Sequence, residues 1–140
     1  MPDRRTGAAG RKLHRRPYDL EERLLEFTCK VTEVVESIVP SRTGNHVAGQ
    51  LVRCGTSPLD HYAKAPSAES QRDFVHKLKI GLKELRETRV WLLVTQRRRL
   101  SRGPTLVDET LRECEELIRI FQSSIRTSER NARPVRETAR

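Results

Sequence analysis

The chain has 140 residues, a formal net charge of +9, 35% apolar and 34% charged residues, and only six aromatics. That length holds about one domain with one core, and a composition rich in charge and poor in aromatics argues for long amphipathic helices over a β-sandwich. Cys29, Cys54 and Cys114 are widely spaced, with no CxxC pair and no histidine at ligand distance, so neither a metal centre nor a disulfide framework nor any cofactor is expected.

The longest strictly apolar run, Val90 to Val94, is far too short to cross a membrane, and no secretory hydrophobic region precedes the first periodic segment. A cytoplasmic, reduced setting is the expectation. The charge is unevenly spread. Residues 1–17 carry six cations against one anion, and residues 126–140 five against two. Inside the chain, residues 18–39 hold two cations and six anions, residues 72–102 ten and three, and residues 103–125 two and five. One basic segment thus lies between acidic ones.

Residues 1–17, rich in arginine and without aromatics or periodicity, read as a disordered basic arm. Asp19 with Glu22 has the form of a capping box and predicts a helix start. Leu20, Leu24, Phe27, Val31, Val34 and Ile38 follow at steps of four and three, one continuous apolar seam, until Pro40 ends the helix. A second helix is expected from Arg42 to Ala65 on Val47, Leu51, Cys54, Pro58, Tyr62 and Ala65. Pro58 lacks the N–H that would bond the carbonyl of Cys54, so a kink, or two shorter helices, is expected there.

Ser70 with Asp73 opens a third helix, Ser70 to Arg98, whose stripe is Phe74, Val75, Leu78, Leu82, Leu85, Leu92 and Leu93. "QRRRLSRGP" breaks it. Thr105 with Asp108 is a further capping box, and Val107, Leu111, Cys114, Ile118, Phe121 and Ile125 form the seam of the fourth helix. Four one-faced helices with short links predict an all-α, antiparallel up-down-up-down four-helix bundle over residues 18–127, with a second disordered basic tail at 128–140.

At about 100° per residue, Arg72, His76, Lys79, Lys83 and Arg86 fall in one strip of the third helix. Cations repeated at that spacing can follow a phosphate backbone and release its counterions, and Arg97, Arg98, Arg99 and Arg102 extend the basic surface beyond the helix end. The same strip could equally face water or pair with the acidic first and fourth helices. No stacking aromatics accompany these cations, so contact would be to phosphate and shape. Ile80, Glu84, Glu87 and Trp91 form a third face with the makings of a small oligomer interface, an apolar pair rimmed by carboxylates. The alternative is that Trp91 wraps the edge of the core. Leu25, Cys29 and Thr32 on the first helix offer a weaker patch.

Catalysis is not expected. Ser57, Asp60 and His61 are close in sequence, yet helix neighbours at i and i+1 point about 100° apart, so Asp60 cannot orient His61 as a triad requires. No HExxH, P-loop, GxGxxG or paired-carboxylate motif occurs.

"YDLEERLLEF" at Tyr18–Phe27, "HVAGQLVRCGTSPLDHYAKA" at His46–Ala65 and "DFVHKLKIGLKELRETRVWL" at Asp73–Leu92 together resemble the bacterial four-helix-bundle proteins encoded in intervening sequences of large-subunit ribosomal RNA genes. Those proteins are similar in turn to the accessory variability proteins of diversity-generating retroelements. The resemblance spans about Tyr18 to Thr127. It implies a small basic bundle that assembles as a homopentameric ring and binds RNA or DNA or, in the retroelement branch, a reverse transcriptase. The family's S-x-x-x-N-x-x-E pattern keeps Ser57 here, but His61 and Lys64 replace its Asn and Glu.

Overall fold

The computed structural model describes residues 18–64 and 70–132. They form four helices: α1 (Tyr18–Ser37), α2 (Arg42–Lys64), α3 (Gln71–Arg97) and α4 (Pro104–Ala132). The expected all-α class is what folds. The arm at 1–17, Ala65 and residues 133–140 lie outside the described residues.

Local chemistry explains the helix ends, and it differs from the sequence reading at three of them. Ser70 caps α3 as expected, its Oγ accepting from the Asp73 amide at 3.1 Å. For α4 the predicted box at Thr105 does not form. The Gly103 carbonyl takes the first helical bond from the Val107 amide, at 3.1 Å, and Pro104 holds the first helical position, where a missing N–H costs nothing. Asp108, freed from capping, accepts instead from Gln96 Nε2 at 2.9 Å. α1 already includes Tyr18, which puts Asp19 inside the helix. α2 passes through Pro58 as one helix, while the hydroxyls of Thr56 and Ser57 donate to the carbonyls of Val52 and Arg53.

At its far end α4 runs to Ala132, past the boundary expected at 127. The added turn is tied to α3, where Lys79 Nζ meets Glu129 Oε2 at 2.8 Å and Gln71 Nε2 reaches the Ser128 carbonyl.

The predicted seams form the core. Leu24, Phe27, Val31 and Val34 of α1, Val47, Leu51 and Cys54 of α2, Val75, Leu78, Leu82, Leu85 and Leu92 of α3, and Val107, Leu111, Cys114, Phe121 and Ile125 of α4 are buried. Leu20, Tyr62, Phe74 and Leu93 of the expected seams are partly buried against that core, and one position is replaced by its neighbour. On α4 the fully buried residue is Leu117, and Ile118 is only half-buried beside Arg86 and Arg89 of α3. Both fit the spacing from Cys114, but α4 touches α1 and α3 together, so its inward arc is wider than a single seam. Thr88, Thr95 and Thr110 are buried too, each satisfied by donating to the carbonyl four residues earlier.

Among the described residues the backbones of α1 and α3 each run close to those of α2 and α4, while a diagonal pair meets through side chains, as where the Tyr62 ring of α2 lies against Phe121 of α4. Partners run in opposite directions. His46 meets Trp91 and Arg53 meets Glu87 between α2 and α3, while Gln96 meets Asp108 and Arg89 meets Glu115 between α3 and α4. At one end the two turns are stitched together. Val39 donates to the Leu100 carbonyl at 2.9 Å, Arg102 donates to the Ser37 carbonyl at 2.8 Å, and the hydroxyls of Ser37 and Ser101 share a hydrogen bond.

Two glycines allow the close approaches. A Cβ at Gly55 would lie 2.5 Å from Val31 Cγ1, and one at Gly81 2.9 Å from Phe121 Cε2. A Cβ at Gly49 would meet nothing within 4 Å. Gly55→Ala should therefore destabilise the fold by about 1–3 kcal/mol through overpacking against a stiff, buried valine. Gly49→Ala should stabilise it by about 1 kcal/mol through helix propensity alone. Thermal denaturation of the two variants should shift in opposite directions.

Burial pushes the Cys54 and Cys114 thiols above the ordinary range, and Cys114 Sγ donates to the Leu85 carbonyl at 3.3 Å. Cys29 is exposed. In native protein at neutral pH a disulfide-exchange reagent should titrate one thiol rapidly, with the other two following only on unfolding. Fast reaction of two or three would contradict this packing.

Candidate nucleic-acid interface

The strip read from the sequence is one continuous exposed surface on α3. Arg72, His76, Lys79, Lys83 and Arg86 are all exposed, because the seam through Leu78, Leu82 and Leu85 turns the opposite side inward. Whether these cations are spent inside the fold is then a matter of distances. Lys79 pairs with Glu129 of α4 at 2.8 Å. Arg72, His76, Lys83 and Arg86 form no ion pair with any described residue. Four of the five positions are thus open to an outside anion, and the fifth is held by an exposed pair worth about 0–1 kcal/mol.

α4 contributes to this surface in a way the sequence reading missed. Between α3 and α4 a hollow of about 520 Å³ is lined by Lys79, Lys83 and Arg86 on one side and Gln122 and Arg126 on the other, with Leu82 and Ile125 at its floor. A second hollow continues it past Arg86 and Gln122 to Arg89, Val90 and Arg119. Here Arg89 is engaged by Glu115 at 3.0 Å and Arg119 by Glu116 at 2.8 Å. Val90 lies in line with the strip and is 51% exposed, so the cations border apolar ground. Arg119, Gln122 and Arg126 recur at helical spacing beside the α4 seam, a signal that a wheel of the fourth helix carries.

Arg97, Arg98, Arg99 and Arg102 gather at the end where the two turns are stitched, all exposed and without ion pairs among the described residues. The pairing of Val39 with Leu100 and of Arg102 with Ser37 fixes the backbone that carries them.

The third face of α3 lies differently. Glu87 receives Arg53 of α2 at 2.6 Å, and the Trp91 ring meets His46 edge-on with centroids 5.7 Å apart while packing against the core. Ile80 and Glu84 are half-buried, and Glu84 Oε1 is a buried oxygen with no hydrogen-bonding partner among the described residues. Within one chain this face is largely the α2–α3 contact.

Ser57, Asp60 and His61 do not assemble. Ser57 Oγ donates to the Arg53 carbonyl, Asp60 pairs with Lys64 at 3.0 Å, and His61 Nδ1 lies 3.1 Å from the Ser57 carbonyl. His61 and Lys64, which depart from the family pattern, thus make contacts within their own helix.

Comparison with known proteins agrees with this architecture. A crystal structure of a protein of unknown function from the S23 ribosomal protein family of Bacteroides thetaiotaomicron is similar, with a TM-score of 0.67 and 27% identity over 75% of this chain and 96% of that one. No curated protein matches the chain. The family model for the 23S rRNA-intervening sequence protein matches residues 18–123, from the start of α1 into α4, and the chain belongs to that family.

Proposed function

We propose that the protein is a non-enzymatic, RNA- or DNA-binding bundle that acts as a homo-oligomeric ring. The observation that carries this reading is the row of aligned, exposed cations on α3, Arg72, Lys83 and Arg86 with His76 in line between them, that pair with no carboxylate among the described residues. Such a row contacts phosphates in register with the backbone and displaces their counterions. Lacking aromatic platforms beside it, the strip reads charge and shape more than sequence. The family's description favours RNA as the first ligand to try.

A ring would repeat the strip and raise avidity. Its support is on the opposite side of the bundle, where Glu22, Glu26, Glu33 and Glu36 of α1 are exposed and make no ion pair among the described residues, with Leu25 46% exposed between them. An acidic face on one helix and a basic face on the diagonal one suit head-to-tail contact between copies. The same observation favours a second reading, an interaction scaffold in which the strip meets neighbouring subunits and a protein such as a reverse transcriptase is recruited.

The variant Lys79→Glu, Lys83→Glu, Arg86→Glu separates the two. On the first reading, binding to structured RNA weakens at every salt concentration and the slope of log affinity against log salt flattens by about two to three. Unchanged RNA affinity in the folded variant would remove the strip from nucleic-acid binding. Loss of the oligomer in sedimentation, with RNA binding intact, would select the scaffold.

A further inference from the structure

α3 ends in a Schellman turn: the Leu100 amide donates to the Thr95 carbonyl at 3.0 Å and the Arg99 amide to the Gln96 carbonyl at 3.2 Å. The residue after the cap must take a left-handed backbone, the conformation glycine adopts without steric cost. Arg99 occupies it, at φ 53°, the one non-glycine residue with positive φ among those described. The turn alone would be better served by glycine. What Arg99 adds is a charged side chain at a position that lines a hollow of about 480 Å³ between the end of α3 and the start of α4.

That hollow has a definite chemistry. Asp108 stands half-buried in it. Its Oδ1 accepts from Gln96 Nε2 at 2.9 Å, and its Oδ2 has no hydrogen bond among the described residues. Pro104 and Val107 supply apolar wall. The stitching of the two turns through Val39, Leu100, Ser37 and Arg102 ties down the backbone at this end of the bundle, which also carries Arg97, Arg98 and Arg102, exposed and without ion pairs among the described residues.

We propose that this hollow takes a guanine base presented by an unpaired RNA nucleotide, a step that rests on the RNA-binding reading above. Guanine alone among the four bases offers two adjacent N–H donors, N1 and N2, on one edge and two acceptors, O6 and N7, on another. A carboxylate with open lone pairs matches the donor edge, and a guanidinium matches the acceptor edge. Adenine has no edge with two donors for the carboxylate. The volume is within the range of small-ligand pockets, and splayed, unpaired bases are what proteins read in RNA. The surrounding arginines hold the flanking phosphates. The strip would then supply affinity, and this end of the bundle a base preference.

The test uses the full chain at fixed salt. Guanosine monophosphate should bind at least tenfold more tightly than adenosine monophosphate, with inosine monophosphate, which lacks the N2 donor, between them. Arg99→Gly should melt at a higher temperature than the parent yet lose most of this preference, so that loss of binding cannot be ascribed to misfolding. Asp108→Asn should lose it as well. Hairpins differing only in a loop guanosine or adenosine should be discriminated by the parent and not by Arg99→Gly. Equal or absent binding of the two mononucleotides, or undiminished preference in both variants, overturns the proposal. A mononucleotide preference without discrimination between hairpins overturns its part in RNA recognition. Salt-dependent RNA binding with no guanine preference sinks this inference alone, whereas a guanine preference with RNA binding blind to the strip variant sinks the phosphate reading alone.

Discussion

α3 packs tightly on α4 where Gly81 faces the ring of Phe121, and the outer surface follows from that contact. With no side chain at position 81 the phenyl edge fills the space between the helices, and Tyr62 of α2 closes over it with ring centroids 6.2 Å apart. Three helices are thereby fixed on one buried ring. Once Leu78, Leu82 and Leu85 are committed inward around it, the side of α3 bearing Lys79, Lys83 and Arg86 has no choice but to face water. The basic surface is the complement of the core.

The electrostatics follow the same division. Ion pairs between helices form near the edges of the contacts, as in Arg23 with Glu113, Arg53 with Glu87 and Arg89 with Glu115, where short distance and partial burial reinforce the interaction. On the outward strip of α3 only Lys79 reaches a carboxylate of another helix, Glu129 of α4, among the described residues. Acidic α1 and basic α3 are diagonal partners, so their unspent charge points to opposite sides of the molecule. A bundle with this dipolar surface has one side for anions and one for cations, while its interior of leucine, valine and phenylalanine holds the two apart.

The stitched end adds a different element, because it is where backbone hydrogen bonds and not side-chain burial join distant parts of the chain. Ser37 to Val39 and Leu100 to Arg102 form a short bridge between turns that are remote in sequence. It places the arginines of "QRRRLSRGP", the stretch that breaks the helical pattern in the sequence, on a defined backbone. Arg99 is the clearest case, since its backbone conformation is set by the turn and it lines the hollow beside it.

Periodicity by itself determined the four helices, nearly all of the core and the outward strip of α3, because each depends only on the rotation of about 100° per residue and on which side chains avoid water. It went astray where two local solutions compete. Thr105 and Gly103 can both start α4, and Leu117 and Ile118 can both continue its seam; the earlier start puts Pro104 at the first helical position, and Leu117 is the residue buried where α4 packs against α1 and α3 together. Only the tertiary structure decided that Glu87 and Trp91 spend themselves on α2, that Arg126 joins the strip across the groove, and that Gln96, Arg99 and Asp108 share a hollow. Those juxtapositions join residues on different helices, and no pattern along one helix encodes the distance between two.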